Sequence, residues 1–438
     1  MFSKMDSMFR IPELRRRILF TIGILLVYRL GGHVTTPGID GRALSDWFST
    51  SQAGGLFGLY DLFAGGNFSR ATIFALGIMP YISASIILQL FGAVIPYFER
   101  LRKEGEQGRK KITQFTRYGT VLLALIQSYG ISIYLLNMDS QIPNLISMNP
   151  RGFQILTMLT LTCGTVFVMW LGEQITERGI GNGISLIIFI GIVARFPSQL
   201  FNTWRLVRAG DINMLFLFIL LAGMLFVTAV VVMMTQAQRK IPVQYPKRVV
   251  GRKMIGGGST HIPLRPNTAG VIPIIFAQAI IVFPSTIGSF FPGNEVVEFI
   301  THLFSPGQFV YIFLYSLMII FFCYFYTAIV FNPVDLAENM KKHGGFIPGI
   351  RQGKPTANYV DRLLTRITFP GAIYLAAIAI LPDILIYKVG MPFYFGGTSL
   401  LIVVGVALDT LQQIEGHLLV RHYDGFLKKS RLRSGRSR

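Results

Sequence analysis

The run Gly179-Ile180-Gly181-Asn182-Gly183 is the stretch that most resembles a reactive loop, since glycine-rich turns can wrap backbone N–H groups around a phosphate. Its spacing departs from Gly-x-Gly-x-x-Gly, no strand-like segment precedes it, and an apolar run follows. It therefore reads as a close backbone turn between two helices. The six histidines, His33, His261, His302, His343, His417 and His422, are scattered without metal-ligand spacing. Cys163 and Cys323 lie in separate apolar stretches and read as packing residues rather than a disulfide or metal pair. Most apolar stretches are nearly free of acids between their ends, and Glu173, Asp335 and Asp409 sit at edges. A proton relay needs such groups near mid-membrane, and intramembrane catalysis needs a nucleophile, base and acid there. The expectation is no enzyme, no metal and no cofactor.

What the apolar stretches do hold is isoleucine. Ile78 and Ile82 are one helical turn apart, as are Ile184 and Ile188, and Ile275 and Ile402 lie in two further stretches. Such residues ordinarily face lipid or pack in a core. If they converge, they form a narrow apolar constriction that resists water and ions by dewetting. Unlike a ring of charges, it binds no passing solute tightly, which suits cargo of variable sequence.

The elements that must position these residues are about ten apolar stretches, and a hydrocarbon core takes roughly 20 helical residues to cross. They run near Ile18–Val34, Ile73–Ile95, Tyr118–Leu136, Ile155–Leu171, Ile184–Ala194, Met214–Met234, Ala269–Ile287, Phe309–Val330, Ile367–Ile386 and Leu400–Leu408. With the N-terminus inside, alternate loops carry 33 of the 41 Lys and Arg, the opposite loops carry 7, and Arg29 sits within the first span. Lys and Arg accumulate on the cytoplasmic side, so both termini are expected there, in a multi-pass protein of the cytoplasmic membrane. Ile18–Val34 follows Arg15-Arg16-Arg17 without a small-residue cleavage site and reads as a retained first helix. Ile184–Ala194 and Leu400–Leu408 are short, and are expected inside the bundle or beside a polar cavity.

The chain is 52% hydrophobic and 14% charged with a formal charge of +20, which excludes an ordinary soluble domain. The basic loops hold topology and bind anionic lipids, and they can also form a docking face for an anionic partner such as structured RNA. Two are long. Gln238–Asn267 holds seven Lys or Arg and no acid, and its β-prone and turn residues predict a protruding hairpin. Asn332–Arg366 holds six basic residues, with Gly344–Arg351 as a tight turn. The segment Leu56–Ala64, between Gly54-Gly55 and Gly65-Gly66, is too short to cross. It reads as a re-entrant or plugging helix or as an amphipathic surface helix, and its glycines offer hinges.

Leu76–Ile82 and Ala269–Ile275 share a pattern of Gly, aliphatic, apolar and Pro at an offset of 193. That offset places the second span on the seventh, as a duplication of five spans requires. Halves with an odd number of spans enter the membrane from opposite sides, and the functional path commonly lies at their interface. Ile82 and Ile275 would be symmetry mates.

Gly65–Arg70 followed by Ile73–Tyr81, and Trp170–Arg178 running into Gly179–Ser185, resemble two signatures of the SecY family, the central subunit of the bacterial protein translocation channel. Ala269–Ala277, Gly344–Arg351 and Tyr394–Val404 match in order and at the expected spacing, and the likeness spans the chain from Pro12 to the tail. The resemblance implies an all-α membrane protein of ten transmembrane helices, in two inverted five-helix halves around a central pore. The N-terminal half would be residues 1–212 and the C-terminal half residues 213–438. It implies a pore ring at Ile78, Ile82, Ile184, Ile188, Ile275 and Ile402. It implies a plug formed by Leu56, Phe57, Gly58, Leu59, Tyr60, Asp61, Leu62, Phe63, Ala64, Gly65, Gly66 and Asn67. A lateral gate would lie between spans two and three on one side and seven and eight on the other. Lys247, Arg248, Arg252, Lys253 and Arg351 would dock the ribosome, through rRNA, and the motor ATPase SecA. SecE and SecG are implied as membrane partners, with signal peptides and nascent chains as cargo. A small-solute transporter of inverted-repeat type and a scaffold that only recruits ribosomes are the competing readings.

Overall fold

The computed structural model describes residues 11–50, 61, 64–139, 142–143, 145–210, 213–245, 248–250, 253–255, 259–267, 270–288, 299, 303–304, 307–389 and 397–434. The helices are α1 (Pro12–Gly31), α2 (Gly41–Thr50), α3 (Met79–Val94), α4 (Pro96–Lys103), α5 (Glu106–Asp139), α6 (Pro150–Arg178), α7 (Gly183–Val193), α8 (Phe196–Ala209) and α9 (Met214–Gln236). After strands β1 (Arg239–Gln244), β2 (Arg248–Val250), β3 (Lys253–Ile255) and β4 (Ser259–Leu264) come α10 (Ile272–Gly288), α11 (Phe309–Val330), α12 (Pro333–Lys342), α13 (Lys354–Val389) and α14 (Gly397–Ser434). Among the described residues, seven helices are long and apolar enough to cross a membrane, and up to eight if the bent pair α3–α4 is one span.

Several boundaries differ from the hydropathy reading, each for a backbone reason. The apolar stretch 73–95 is helical only from Met79, because the chain reaches it through turns that include Ala71 (φ 46°) and Gly77 (φ 56°). At its far end Pro96 starts a new helix, and α4 leaves α3 at 97°. The short stretch 184–194 is α7, and the candidate span that contains it runs on through α8 to Ala209. The short stretch 400–408 lies inside α14, whose candidate span runs Thr398–Leu418.

One compact unit comprises Met1–Asn202, Val282–Ser305 and Ile402–Arg438. Its central packing joins α5 to α6 through small residues. Ala124, Ser128 and Ser132 on α5, and Gly164 and Thr165 on α6, are buried. Small side chains let helix backbones approach closely where lipid supplies no hydrophobic drive. Gly164 lies so close to the Ile73 carbonyl that a Cβ has no room. The hydroxyls stay satisfied locally: Thr120 donates to the Thr116 carbonyl (2.7 Å) and Thr165 to the Leu161 carbonyl (2.9 Å). Arg117 on α5 grips Glu173 on α6 through two bonds of 2.9 and 2.8 Å.

The second unit comprises Thr203–Ile281 and Pro306–Leu401. Its sequence-predicted hairpin is present as two nested antiparallel pairs. β1 pairs with β4 from Arg239↔Leu264 to Gln244↔Ser259, and β2 pairs with β3 from Arg248↔Ile255 to Val250↔Lys253. A buried cluster of Ile241, Val243, Leu264, Met340, Ile347, Val360 and Leu364 seats the hairpin on α12, α13 and the turn between them. In this unit Phe276 of α10 meets Phe322 of α11 edge-on at 5.7 Å.

Candidate functional site: helix starts that carry isoleucine, and the contacts that hold them

The sequence-predicted ring residues sit at or near the starts of helices. Ile78 is the N-cap of α3 and Ile82 follows one turn later, with Ile82 N–H bonded to the Ile78 carbonyl at 3.1 Å. Ile184 and Ile188 occupy the first two turns of α7. Ile275 is the fourth residue of α10, and Ile402 lies near the start of α14. Ile78, Ile82, Ile188, Ile275 and Ile402 are at most 6% exposed, which rules out a lipid-facing role for these five. Ile184 is half-buried, and its Cγ1 lies over Gly172 of α6.

The repeat is visible in the backbone. Gly77 has φ 56° and Gly270 has φ 64°, and the helices that follow begin at Met79 and Ile272. Both pairs are 193 residues apart. A positive φ is cheap for glycine and costs roughly 1–2 kcal/mol for an L side chain. Each glycine turns the chain so that a proline-bearing first turn can follow, which puts Ile82 and Ile275 at equivalent helical positions.

The glycine-rich run is a close turn between α6 and α7, and side chains from neighbouring helices clasp it. Its N–H groups are spent on side chains from three helices. Ile180 N–H donates to Thr21 Oγ1 of α1 (3.1 Å), Gly181 N–H to Gln413 Oε1 of α14 (3.0 Å), and Gly183 N–H to Thr176 Oγ1 of α6 (3.0 Å). Asn182 caps α7 by accepting from Ile184 and Ser185 (3.1 and 3.4 Å). Gly179 N–H bonds to the Ile175 carbonyl of α6 (2.8 Å), and among the described residues no group of His, Cys, Asp and Glu is placed to hold a metal. The clasp fixes the start of α7, and with it Ile184 and Ile188. Sequence reasoning missed Thr21, Thr176 and Gln413. Asn182 alone carried a local signal, an Asn just before an apolar helix.

Of the sequence-predicted plug, Leu56 to Tyr60, Leu62 and Phe63 lie outside the described residues. Asp61, Ala64, Gly65, Gly66 and Asn67 are described, and all five are buried. Asp61 Oδ1 accepts from Phe68 and Ser69 N–H (3.0 and 2.9 Å), and Asp61 Oδ2 meets the Arg195 guanidinium that follows α7. Gly65 and Gly66 form a turn with φ 69° and 85°. A Cβ on Gly65 would fall 2.8 Å from Gly191 Cα, so glycine is needed here on both sides of the contact. Asn67 Nδ2 donates to the buried Tyr28 hydroxyl of α1 (3.2 Å). The Gly65-Gly66 pair, expected as a hinge, is thus a clamped turn.

The two long basic loops fold together. Gln244 at the end of β1 exchanges two backbone bonds with Phe346, at 2.9 and 3.0 Å. Gln352 Nε2 donates to the Gly345 carbonyl (3.1 Å), and Thr356 Oγ1 donates to the Arg351 carbonyl (2.8 Å). Arg351 is exposed at this turn. Arg248 and Lys253 are strand residues of the β2–β3 pair, while Lys247 and Arg252 lie outside the described residues.

Comparison with known proteins places this geometry. A family model described as SecY matches residues 72–411. The chain is 46% identical over 427 residues to the protein translocase subunit SecY of Aquifex aeolicus (strain VF5), covering 97% of this chain and 99% of that one. It is 48% identical over 425 residues to the protein translocase subunit SecY of Escherichia coli (strain K12), covering 96% and 95%. Two solved structures share the fold. One, described as the structure of a protein conducting channel, has a TM-score of 0.65 at 17% identity, with 91% of each chain covered. The other, Sec61 in the canine ribosome-channel complex, has a TM-score of 0.60 at 16% identity, also with 91% of each chain covered. The chain therefore belongs to the SecY family of protein translocase subunits, multi-pass membrane proteins that are channels and not enzymes.

Proposed function

We propose that the chain is the central subunit of a protein-conducting channel in the cytoplasmic membrane. It passes unfolded secretory polypeptides across and releases transmembrane segments sideways into lipid. The observation that carries this reading is identity of 46–48% sustained over nearly the whole chain to translocase subunits. In this reading ten spans form two inverted halves, residues 1–212 and 213–438, with both termini cytoplasmic. Ile78, Ile82, Ile184, Ile188, Ile275 and Ile402 form the seal, and residues 56–67 plug it. The lateral gate opens between α3 and α5 on one side and α10 and α11 on the other.

The physics supports such a device. An apolar ring resists ions without binding cargo. A signal helix gains roughly 25 cal/mol per Å² on leaving water for lipid, so partition can bias the gate. A charged segment costs about 2.5–3.5 kcal/mol per charged residue at mid-bilayer on insertion scales, so it stays in the aqueous path. Direction comes from outside the chain. The folded platform of β1–β4 and the 344–351 turn, with Arg351 exposed, suits ribosomal RNA and the motor SecA. SecE and SecG complete the complex, and anionic lipids neutralise the remaining basic loops.

The test is crosslinking from a stalled secretory chain to a photoreactive residue at position 188, with the same probe at Phe226 of α9, which is 71% exposed, as the lipid-side control. Crosslinks at 188 alone are expected. Equal labelling at both sites, or none at 188 despite ribosome binding, would return the scaffold reading.

A further inference from the structure

We propose that Asp61 and Arg195 form an electrostatic latch that positions the C-terminal end of the plug against α7 in the closed channel. The inference rests on the plug and ring reading above. Asp61 is the one acid in residues 56–67, and it is 5% exposed. Its two carboxylate oxygens do different work. Oδ1 ties down the Phe68 and Ser69 amides that follow the plug, while Oδ2 takes the Arg195 guanidinium. Arg195 follows directly on the helix that carries Ile184 and Ile188. The contact therefore joins the plug to the ring-bearing helix, across 134 residues of sequence.

Backbone packing makes the contact close. Gly65 lies against Gly191, and a Cβ on Gly66 would fall 3.1 Å from Arg195 Nε. Arg29 Nη1 reaches the Gly65 carbonyl at 3.4 Å. Arg29 also lies within electrostatic reach of Arg70 and Arg195. One carboxylate thus holds a place where guanidinium groups gather. The latch also has the right dependence on water. With Asp61 buried and Arg195 partly exposed, the closed pair is largely shielded from water, and separating it is costly. Once water enters, both charges are solvated and the attraction falls several-fold. Opening therefore weakens the contact that opposed it, which makes the transition two-state in character.

Asp61→Asn is the sharp variant, since an amide oxygen can still accept from Phe68 and Ser69 while the charge is gone. Arg195→Gln removes the other partner, and Arg195→Lys keeps a cation. The assay is resting ion conductance of the complete channel complex in planar bilayers without polypeptide, with Ile188→Gly as the ring control. Asp61→Asn and Arg195→Gln should each raise resting conductance about tenfold, the lower end of what one hydrogen bond to a charged group is worth. The double variant should match the single ones rather than multiply them, and Arg195→Lys should stay near wild type. Additive leaks in the double variant, or wild-type conductance in both single variants while Ile188→Gly leaks, overturn the latch and leave the channel reading intact. If Ile188→Gly does not leak either, the ring and plug reading fails and the latch falls with it. Should Asp61→Asn fold poorly, the contrast between Arg195→Gln and Arg195→Lys decides by itself.

Discussion

Replacing Thr21 by Val tests whether the 179–183 clasp works as the geometry says. Valine keeps the shape of threonine and removes the oxygen that accepts from Ile180 N–H at 3.1 Å. The threonine hydroxyl also donates to the Arg17 carbonyl at 3.0 Å, but that carbonyl keeps its partner in the helix ladder of α1. The loss is therefore confined to one amide, on a residue that is 4% exposed. A buried donor left without a partner costs about 1–3 kcal/mol, or about 5- to 150-fold in a local opening equilibrium. Hydrogen–deuterium exchange by mass spectrometry on a peptide covering residues 176–184 reads that opening directly. Thr21→Val should speed exchange there by at least several-fold, and Thr21→Ser, which keeps the acceptor, should not. Unchanged exchange in the valine variant, or equal loss in the serine variant, would show that the clasp is held by shape and not by this bond.

Ring substitutions test the seal itself. Ile78→Gly and Ile275→Gly are expected to raise ion leak in planar bilayers and to relax selectivity for signal sequences, because each removes a side chain that is at most 6% exposed. Wild-type conductance in both would count against the ring. Arg351→Glu should impair translocation of a precursor while the purified protein keeps its thermal profile, because the side chain is exposed and the structural bond at this turn is made by its backbone carbonyl. Undiminished translocation with that change would remove Arg351 from the docking surface.

The platform shows how loop chemistry read separately becomes one object. A run of β-prone residues between Gln238 and Asn267 predicts a hairpin from local propensity, and the hairpin is there in full register. A glycine-flanked stretch at 344–351 predicts a tight turn, and it is there with Gly344 and Gly349 at positive φ. Their union through Gln244 and Phe346 was not legible. Backbone bonds between segments about 100 residues apart leave no mark on composition or period. The same holds for the buried cluster beneath them, whose members are ordinary aliphatics in sequence.

Sequence alone determined the class of protein, because charge sorting and apolar length are sums over many residues and tolerate local error. It also singled out the six isoleucines proposed as the ring, and the shared pattern at an offset of 193 paired Ile82 with Ile275. The tertiary structure decided where the helices start and what the polar residues between them do. Hydropathy runs unbroken from Ile73 to Ile95, yet the helix waits for Met79, because a left-handed glycine redirects the chain without changing its polarity. In sequence Asp61 and Arg195 are an acid and a base 134 residues apart; the fold sets Gly65 against Gly191 and brings the two charges into contact. A periodic pattern encodes a local repeat of backbone angles. A close approach depends on which distant backbones lack side chains at the same point, and only the folded chain shows that.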